Sequence, residues 1–206
     1  MSRQRVLLTG FEPFNGSTLN PSQQLVERLA GGGAALGIEL HTALLPVETD
    51  RLAGVLLPLL DRVRPTAVVH LGESAKADRI VIERLAVNLL DFDCADNAGQ
   101  VIRDQPIDSA GPAARWATLD VRGAERAVSA AGVPCGLSLS AGAYLCNQTL
   151  FLSLAWAQGA GHVCPVGFLH VPSMPEQVAA GQRPGPGMAL ERSLAGVEAV
   201  LRELAG

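Results

Sequence analysis

The segment Thr66–Gly72, TAVVHLG, is apolar at nearly every position, so as a strand it carries hydrophobic side chains on both faces. Such a strand is stable only inside a mainly parallel sheet that helices cover on both sides. The chain around it alternates in the rhythm that such a sheet needs. Arg5–Gly10 (RVLLTG) reads as a short buried strand, followed by the irregular loop FEPFNGSTLNPS. Asn20-Pro21-Ser22-Gln23 reads as an N-cap, a proline at the first helical position and a capping-box Gln. The helix carrying Leu25, Val26 and Leu29 follows, and Gly31–Gly33 ends it. Glu39–Val47 alternates as a strand, and Thr49 is placed to cap a second helix through about Val63. This βαβ succession indicates an α/β fold. Further on, Arg79–Phe92 reads as one strand, Leu119–Ala131 as an amphipathic helix, His162–Pro172 as a strand and Met188–Leu204 as a closing helix. Asp93–Asp120 lacks periodicity and is long for a compact domain, which marks a functional or mobile loop, a lid. The stretch PSMPEQVAAGQRPGPG reads as flexible or surface-exposed.

With 206 residues and no Ser-rich or Pro-rich linker, a single domain spanning residues 1–206 is expected. Hydrophobic residues make up 48% of the chain, yet the longest apolar run, Leu52–Leu60, falls far short of the roughly 20 residues of a membrane helix. The opening MSRQRVLLTG has no apolar signal core, so a cytoplasmic location is expected. The four cysteines, Cys94, Cys135, Cys146 and Cys164, form no CxxC pair and are expected to be reduced. A net charge of −4 without acidic or basic runs gives neither nucleic acid nor an anionic membrane a footprint. The partner is expected to be a small molecule.

Three residues stand out chemically. In LSLSAGAYLCNQTLFLSLAWAQG, Leu137 and Leu139 alternate with serines as in a strand, Ala141-Gly142-Ala143 permits a tight turn, and a largely buried helix runs from Tyr144 to Gly159. Cys146 therefore falls in the first helical turn, where unpaired N–H groups and the positive helix end favour a thiolate. Packing is the competing reading for any free cysteine, and the position argues against it here. His170 closes a strand whose even positions, Val166, Phe168 and His170, share a face, at the edge where α/β sheets assemble their sites. Glu83 is embedded between Ile82 and Arg84 in an apolar strand and requires a partner. Arg84 points to the opposite face, which leaves either a distant arginine or another group. His70 reads as a packed, hydrogen-bonded histidine, and no spacing of His, Cys, Asp or Glu supports a metal. Phe11 and Phe14 place two of only eight aromatic residues on one loop, fit either to wall a flat ligand or to plug the core.

Four blocks in order, GFEPFNGSTLNPS, IERLAVN, SLSAGAYLCN and GFLHVP, resemble the motifs of pyroglutamyl peptidase I, the pyrrolidone-carboxylate peptidases. They span Val6–Pro172. The resemblance implies an α/β/α three-layer sandwich with a central mixed, mostly parallel twisted sheet, and a homotetramer. It implies Cys146 as nucleophile, His170 as its base and proton donor, and Glu83 as the carboxylate that orients the imidazole. Phe11 and Phe14 match residues that flank the pyroglutamyl lactam, and Asn20 matches a residue near that pocket, in competition with its capping role. Peptides with an N-terminal pyroglutamate are the implied substrates, and no metal or cofactor is implied. The chain departs from the family in two stretches, GESAKADR and LDFDCADN, where bacterial members commonly carry Gly-Gly-Arg and Asp-Ala-Arg-Ile-Pro-Asp-Asn; Asp93 stands where the second has its basic residue. Two rivals remain at this level: a lactam-binding protein with reduced or lost catalysis, and a different α/β/α enzyme such as a nucleoside-processing one. The second needs a phosphate loop or basic cluster, which the sequence lacks.

Overall fold

A computed structural model of the chain describes residues 3–159 and 164–205. Its main sheet has six strands. In chain order these are β1 (Arg5–Phe11), β2 (Glu39–Leu45), β3 (Ala67–Ser74), β4 (Ile80–Glu83), β7 (Cys135–Ser138) and β8 (Val166–Pro172). Across the sheet the order is β2-β1-β3-β8-β4-β7. The first four in that order are mutually parallel, while β4 pairs antiparallel with β8 and parallel with the edge strand β7. The sheet is therefore mixed and mostly parallel. A separate antiparallel pair, β5 (Leu85–Val87) and β6 (Ala114–Trp116), lies outside it.

The period of two sorts the core into two layers. Val6, Leu8, Val69, Leu71, Leu169 and Val171 face one side. There they pack on α1 (Pro21–Leu29), α3 (Val121–Ala130) and α6 (Leu190–Glu203). Leu7, Phe11, Val68, Val166 and Phe168 face the other. They pack on α2 (Thr49–Val63) and α4 (Leu145–Gly159). Each buried Leu or Val contributes about 1.5–3 kcal/mol, so doubly covered strands hold the helices to both faces. Among the described residues no helix is long and apolar enough to cross a membrane.

Several local expectations are corrected. The single strand expected over Arg79–Phe92 breaks at Arg84: β4 stays in the main sheet, while β5 leaves to pair with β6. Gln23 does not close a capping box, because its side chain donates to Glu27; Asn20 alone caps α1, accepting from the Ser22 amide at 2.9 Å. Thr49 is not the cap of α2. Its own amide is capped by Asp96 Oδ2 at 2.9 Å, and its hydroxyl has no partner among the described residues. The strand expected from His162 begins at Val166; His162 and Val163 lie outside the described residues.

The segment Asp93–Asp120 is tied down along its length. Asp96 Oδ1 accepts from the amides of Ala98 and Gln100, Asn97 Nδ2 donates to the Pro13 carbonyl, and Asn88 exchanges hydrogen bonds with the Asp108 backbone. The stretch read as flexible or surface-exposed after β8 is mostly exposed, yet it is anchored at several points. It contains α5 (Pro175–Ala179), Gln177 is fully buried, and Gly185 lies so close to the Ala75 carbonyl that a side chain would not fit.

Asp96 thus joins the start of α2 to the loop that follows β5. Asp96→Ala is expected to cost about 1–2 kcal/mol, because it leaves a helix N-terminal amide and two loop amides unpaired. Urea unfolding followed by circular dichroism measures it; an unchanged midpoint would show that the cap carries no stability.

Candidate active site

Cys146 is the second residue of α4. The helix follows the left-handed turn at Gly142, φ 79°, and its first-turn amides lack intrahelical acceptors. The next residue anchors it. Asn147 is fully buried, accepts from the Val87 amide at 2.8 Å and donates to the carbonyls of Val87 and Leu89. The outlying β5 segment is thereby stitched to the helix that carries the sulfur.

His170 lies on β8 in the face shared with Val166 and Phe168, and its ring stacks at a tilt on Phe168 with centroids 4.7 Å apart. Nδ1 is 2.8 Å from Glu83 Oε1. The antiparallel pairing of β4 on β8 sets Val81 opposite His170 and Glu83 opposite Phe168, so the carboxylate reaches back one diagonal step to the imidazole. Both side chains are buried, and Glu83 Oε2 has no hydrogen-bond partner among the described residues. The partner that the sequence left open for Glu83 is therefore a histidine. The neighbouring Arg84 turns away and lies over the exposed Trp116 ring.

Burial works against a charged imidazole at His170, but the negative charge of Cys146, a hydrogen bond to its sulfur, and the bond and charge of Glu83 outweigh it. The imidazole is pushed up to about 10 and is an imidazolium at neutral pH. With Nδ1 held by Glu83, the other ring nitrogen is left for the sulfur. An imidazolium set between a carboxylate group and a sulfur is the arrangement that a cysteine nucleophile requires.

His70 makes the contrast. It is fully buried between Thr9 Oγ1 at 2.7 Å and Ser153 Oγ at 2.9 Å, with no carboxylate beside it, and burial lowers it to about 3. It is a neutral packing histidine. Cys164 is buried, which pushes its thiol up to about 11, and Cys135 is raised chiefly by burial as well. Among the described residues no three His, Cys, Asp or Glu side chains are grouped to hold a metal ion.

Cys146 and His170 open onto a cavity of about 140 Å³. Phe11, Phe14, Val47, Ala141, Tyr144 and Leu145 give it apolar walls, and Asn20 and Glu73 add polar ones. Both phenylalanines therefore line a cavity; Phe11 also plugs the core, with 3% exposure and its ring 6.4 Å from that of Phe168. Asn20 lines the cavity while its side chain is spent on the Ser22 amide, the Ser22 hydroxyl and the Glu12 carbonyl. Its capping duty consumes its polar atoms.

Three residues in or beside the site have roles that the sequence did not indicate. Tyr144 packs between Phe14, at 6.1 Å, and Phe92, at 4.6 Å, and donates its hydroxyl to the Ala95 carbonyl. Burial first, then the charge of Cys94, raises its phenol, so it stays a neutral donor. Its place directly before Leu145-Cys146 was the available signal. Glu73, one residue beyond the apolar run of β3, ion-pairs with the buried Arg183 at 2.9 Å; nothing local in the sequence joins residues so far apart. Gly72 is the third. A Cβ there would stand 2.9 Å from the Cys146 sulfur and 2.7 Å from the Phe168 ring, closer than real contacts allow. The glycine makes room for the sulfur above the sheet.

The family model for pyroglutamyl peptidases matches residues 4–205 of the chain. The pyrrolidone-carboxylate peptidase of Deinococcus radiodurans is 43% identical, over 82% of this chain and 78% of the relative. The crystal structure of the Bacillus amyloliquefaciens pyroglutamyl peptidase I superposes with a TM-score of 0.91 at 29% identity, covering 98% of this chain and 97% of that one. The pyrrolidone carboxyl peptidase of Thermus thermophilus superposes with a TM-score of 0.85 at 41% identity, covering 96% and 99%.

Gly72→Ala is expected to push the sulfur off His170, because the core around Phe168 has little room to yield. The rate of Cys146 alkylation by iodoacetamide at neutral pH should fall about tenfold, with cooperative thermal unfolding retained. An unaltered alkylation rate would show that the sulfur does not depend on that space.

Proposed function

Because the chain belongs to the pyroglutamyl peptidase family, we propose that Cys146, His170 and Glu83 are its catalytic residues and that the adjoining cavity seats the lactam. The activity is that of a cysteine exopeptidase, which removes an N-terminal pyroglutamyl residue from peptides through a thioester. The observation that carries the residue roles is the line from the buried Glu83 through His170 to the half-buried Cys146, with its imidazolium held from both sides.

In this reading the Cys146 thiolate attacks the carbonyl carbon that joins pyroglutamate to the next residue. The carbonyl oxygen takes up negative charge, which the first-turn amides of α4, including that of Cys146, are placed to receive. The C–N bond breaks as His170 gives its Nε2 proton to the leaving amine. The imidazole, now neutral, takes a proton from water, and the resulting hydroxide attacks the thioester. Pyroglutamate leaves, and the thiolate–imidazolium pair is restored. Glu83 keeps Nδ1 engaged throughout, so that Nε2 faces the sulfur and the imidazolium stays stabilised.

Phe11, Phe14 and Tyr144 supply walls for a flat, uncharged ring, while Asn20 holds the Phe11–Asn20 loop in shape. An open N-terminus would bring an ammonium into this apolar cavity at a desolvation cost of several kcal/mol. We extend the reading to one domain over residues 1–206, a cytoplasmic location and a homotetramer, supported by the family resemblance and by the free cysteines.

The test is release of a fluorescent amine from a pyroglutamyl arylamide. Cys146→Ala is expected to lower kcat by at least about 1,000-fold, and Glu83→Gln by a comparable factor. Wild-type-like rates in either variant would remove that residue from the mechanism. The alanyl arylamide should turn over at least about 100-fold more slowly; equal turnover would refute the lactam seat.

The alkaline limb of kcat/KM should lie near pH 10, where His170 loses its proton. Glu83→Gln deletes one of the charges that raise His170, so the limb should move to lower pH. A limb that stays in place would show that Glu83 does not act on the imidazole's charge.

A further inference from the structure

We propose that Arg183 is a positioning residue for the pocket wall, a buried clamp that sets Phe14 from the opposite end of the chain. Arg183 follows α5 in the segment that the sequence marked as flexible, yet its side chain is only 4% exposed. Its guanidinium divides between two tasks. Nε and Nη2 form a forked ion pair with Glu73, at 2.9 Å to Oε1 and 3.2 Å to Oε2. Nη2 also donates to the Phe14 carbonyl at 3.1 Å, Nη1 reaches the Gln182 carbonyl at 2.9 Å and that of Asn15 at 3.5 Å, and the guanidinium plane lies 5.1 Å from the Phe14 ring centre.

The turn it grips is a demanding one. Asn15 has φ 50° and Gly16 φ 73°, two consecutive left-handed residues, and the carbonyls of Phe14 and Asn15 point inward from that turn. Asn97 holds the preceding Pro13 carbonyl from the other side. The Phe14 carbonyl also accepts from the Ser17 amide of its own turn at 3.1 Å, so Phe14 is placed by one local bond and by two long-range donors, Arg183 and Asn97.

Glu73 is the fixed point of the clamp. It ends the run of β3 directly after Gly72, and its side chain is fully buried. Oε1 also accepts from Ser173 Oγ at 2.7 Å and Gln177 Nε2 at 3.1 Å. The carboxylate belongs to the cavity lining but is saturated, so its charge is spent on Arg183 and is withheld from the ligand. Arginine suits this place because its fork can hold a carboxylate and a carbonyl together, which a lysine ammonium does not do with the same geometry.

The inference rests on Phe14 walling the substrate site, and the experiment separates the two. KM and kcat for the pyroglutamyl arylamide, together with the urea midpoint, are measured for wild type, Phe14→Ala, Arg183→Met and the double variant Glu73→Gln/Arg183→Met. Arg183→Met leaves a buried carboxylate unpaired and will be destabilised; the double variant removes that charge and should recover most of the midpoint. In the double variant KM should stay raised about tenfold while kcat changes less than about twofold, because the Phe14 carbonyl keeps only the Ser17 amide and the Phe14 ring has lost the guanidinium beside it. Recovery of both midpoint and KM would reduce the pair to a structural ion pair and overturn the proposal, as would a kcat that falls as far as KM rises. Phe14→Ala is the reference: a raised KM there supports the premise, and an unchanged KM removes it and the clamp with it.

Discussion

A protonated imidazole that is largely buried has to be flanked by negative charge, and the arrangement around His170 follows from that demand. Burial alone drives a histidine towards neutrality, as the fully buried His70 shows in the same sheet. The difference between the two is a carboxylate and a sulfur. Glu83 arrives because β4 runs antiparallel to β8, which reverses the direction of an otherwise parallel sheet and turns the end of β4 back along the strand that bears His170. Cys146 arrives because α4 starts above the gap left by Gly72. A wholly parallel sheet would have carried the end of β4 in the other direction, away from this diagonal contact.

Tethers between distant segments hold these pieces in register. Asn147, next to the sulfur, binds the backbone that follows β5, so the strand break after Glu83 is tied to the helix that starts at Cys146. Asp96 joins the loop beyond β5 to the start of α2, and Asn97 joins it to the loop after β1. Glu73 gathers Ser173, Gln177 and Arg183 around the end of β3. Three of these tethers centre on a buried polar side chain, Asn147, Asp96 or Glu73, while Asn97 is exposed, and each spans a large sequence separation. Such groups are costly to bury unpaired, which makes the arrangement specific as well as stable.

Of the charged residues in GESAKADR and LDFDCADN, Glu73 and Asp96 are buried and most of the others lie at the surface. Arg79 pairs with Asp78 at the surface, and Asp93 is exposed. Arg183, from the segment after β8, lies behind the cavity wall, against Glu73 and Phe14.

Periodicity was enough to read the central strands, because a strand with two apolar faces admits only a doubly covered position, but it ran β4 and β5 together as one strand. Cys146 and His170 were legible for the same reason: a helix start and a strand end are local features. So was the anomaly of Glu83, an acid in an apolar run, although its histidine partner came only from the family resemblance and not from the local pattern. What the tertiary structure decided were the pairings across long separations: Glu83 with His170, Asp96 with the start of α2, and Arg183 with Glu73 and Phe14. Local propensity has no access to these. It carries information over a few residues, whereas a buried charge is matched by whatever the closed fold brings within hydrogen-bonding distance, and that is settled only when strand direction and layer order are in place.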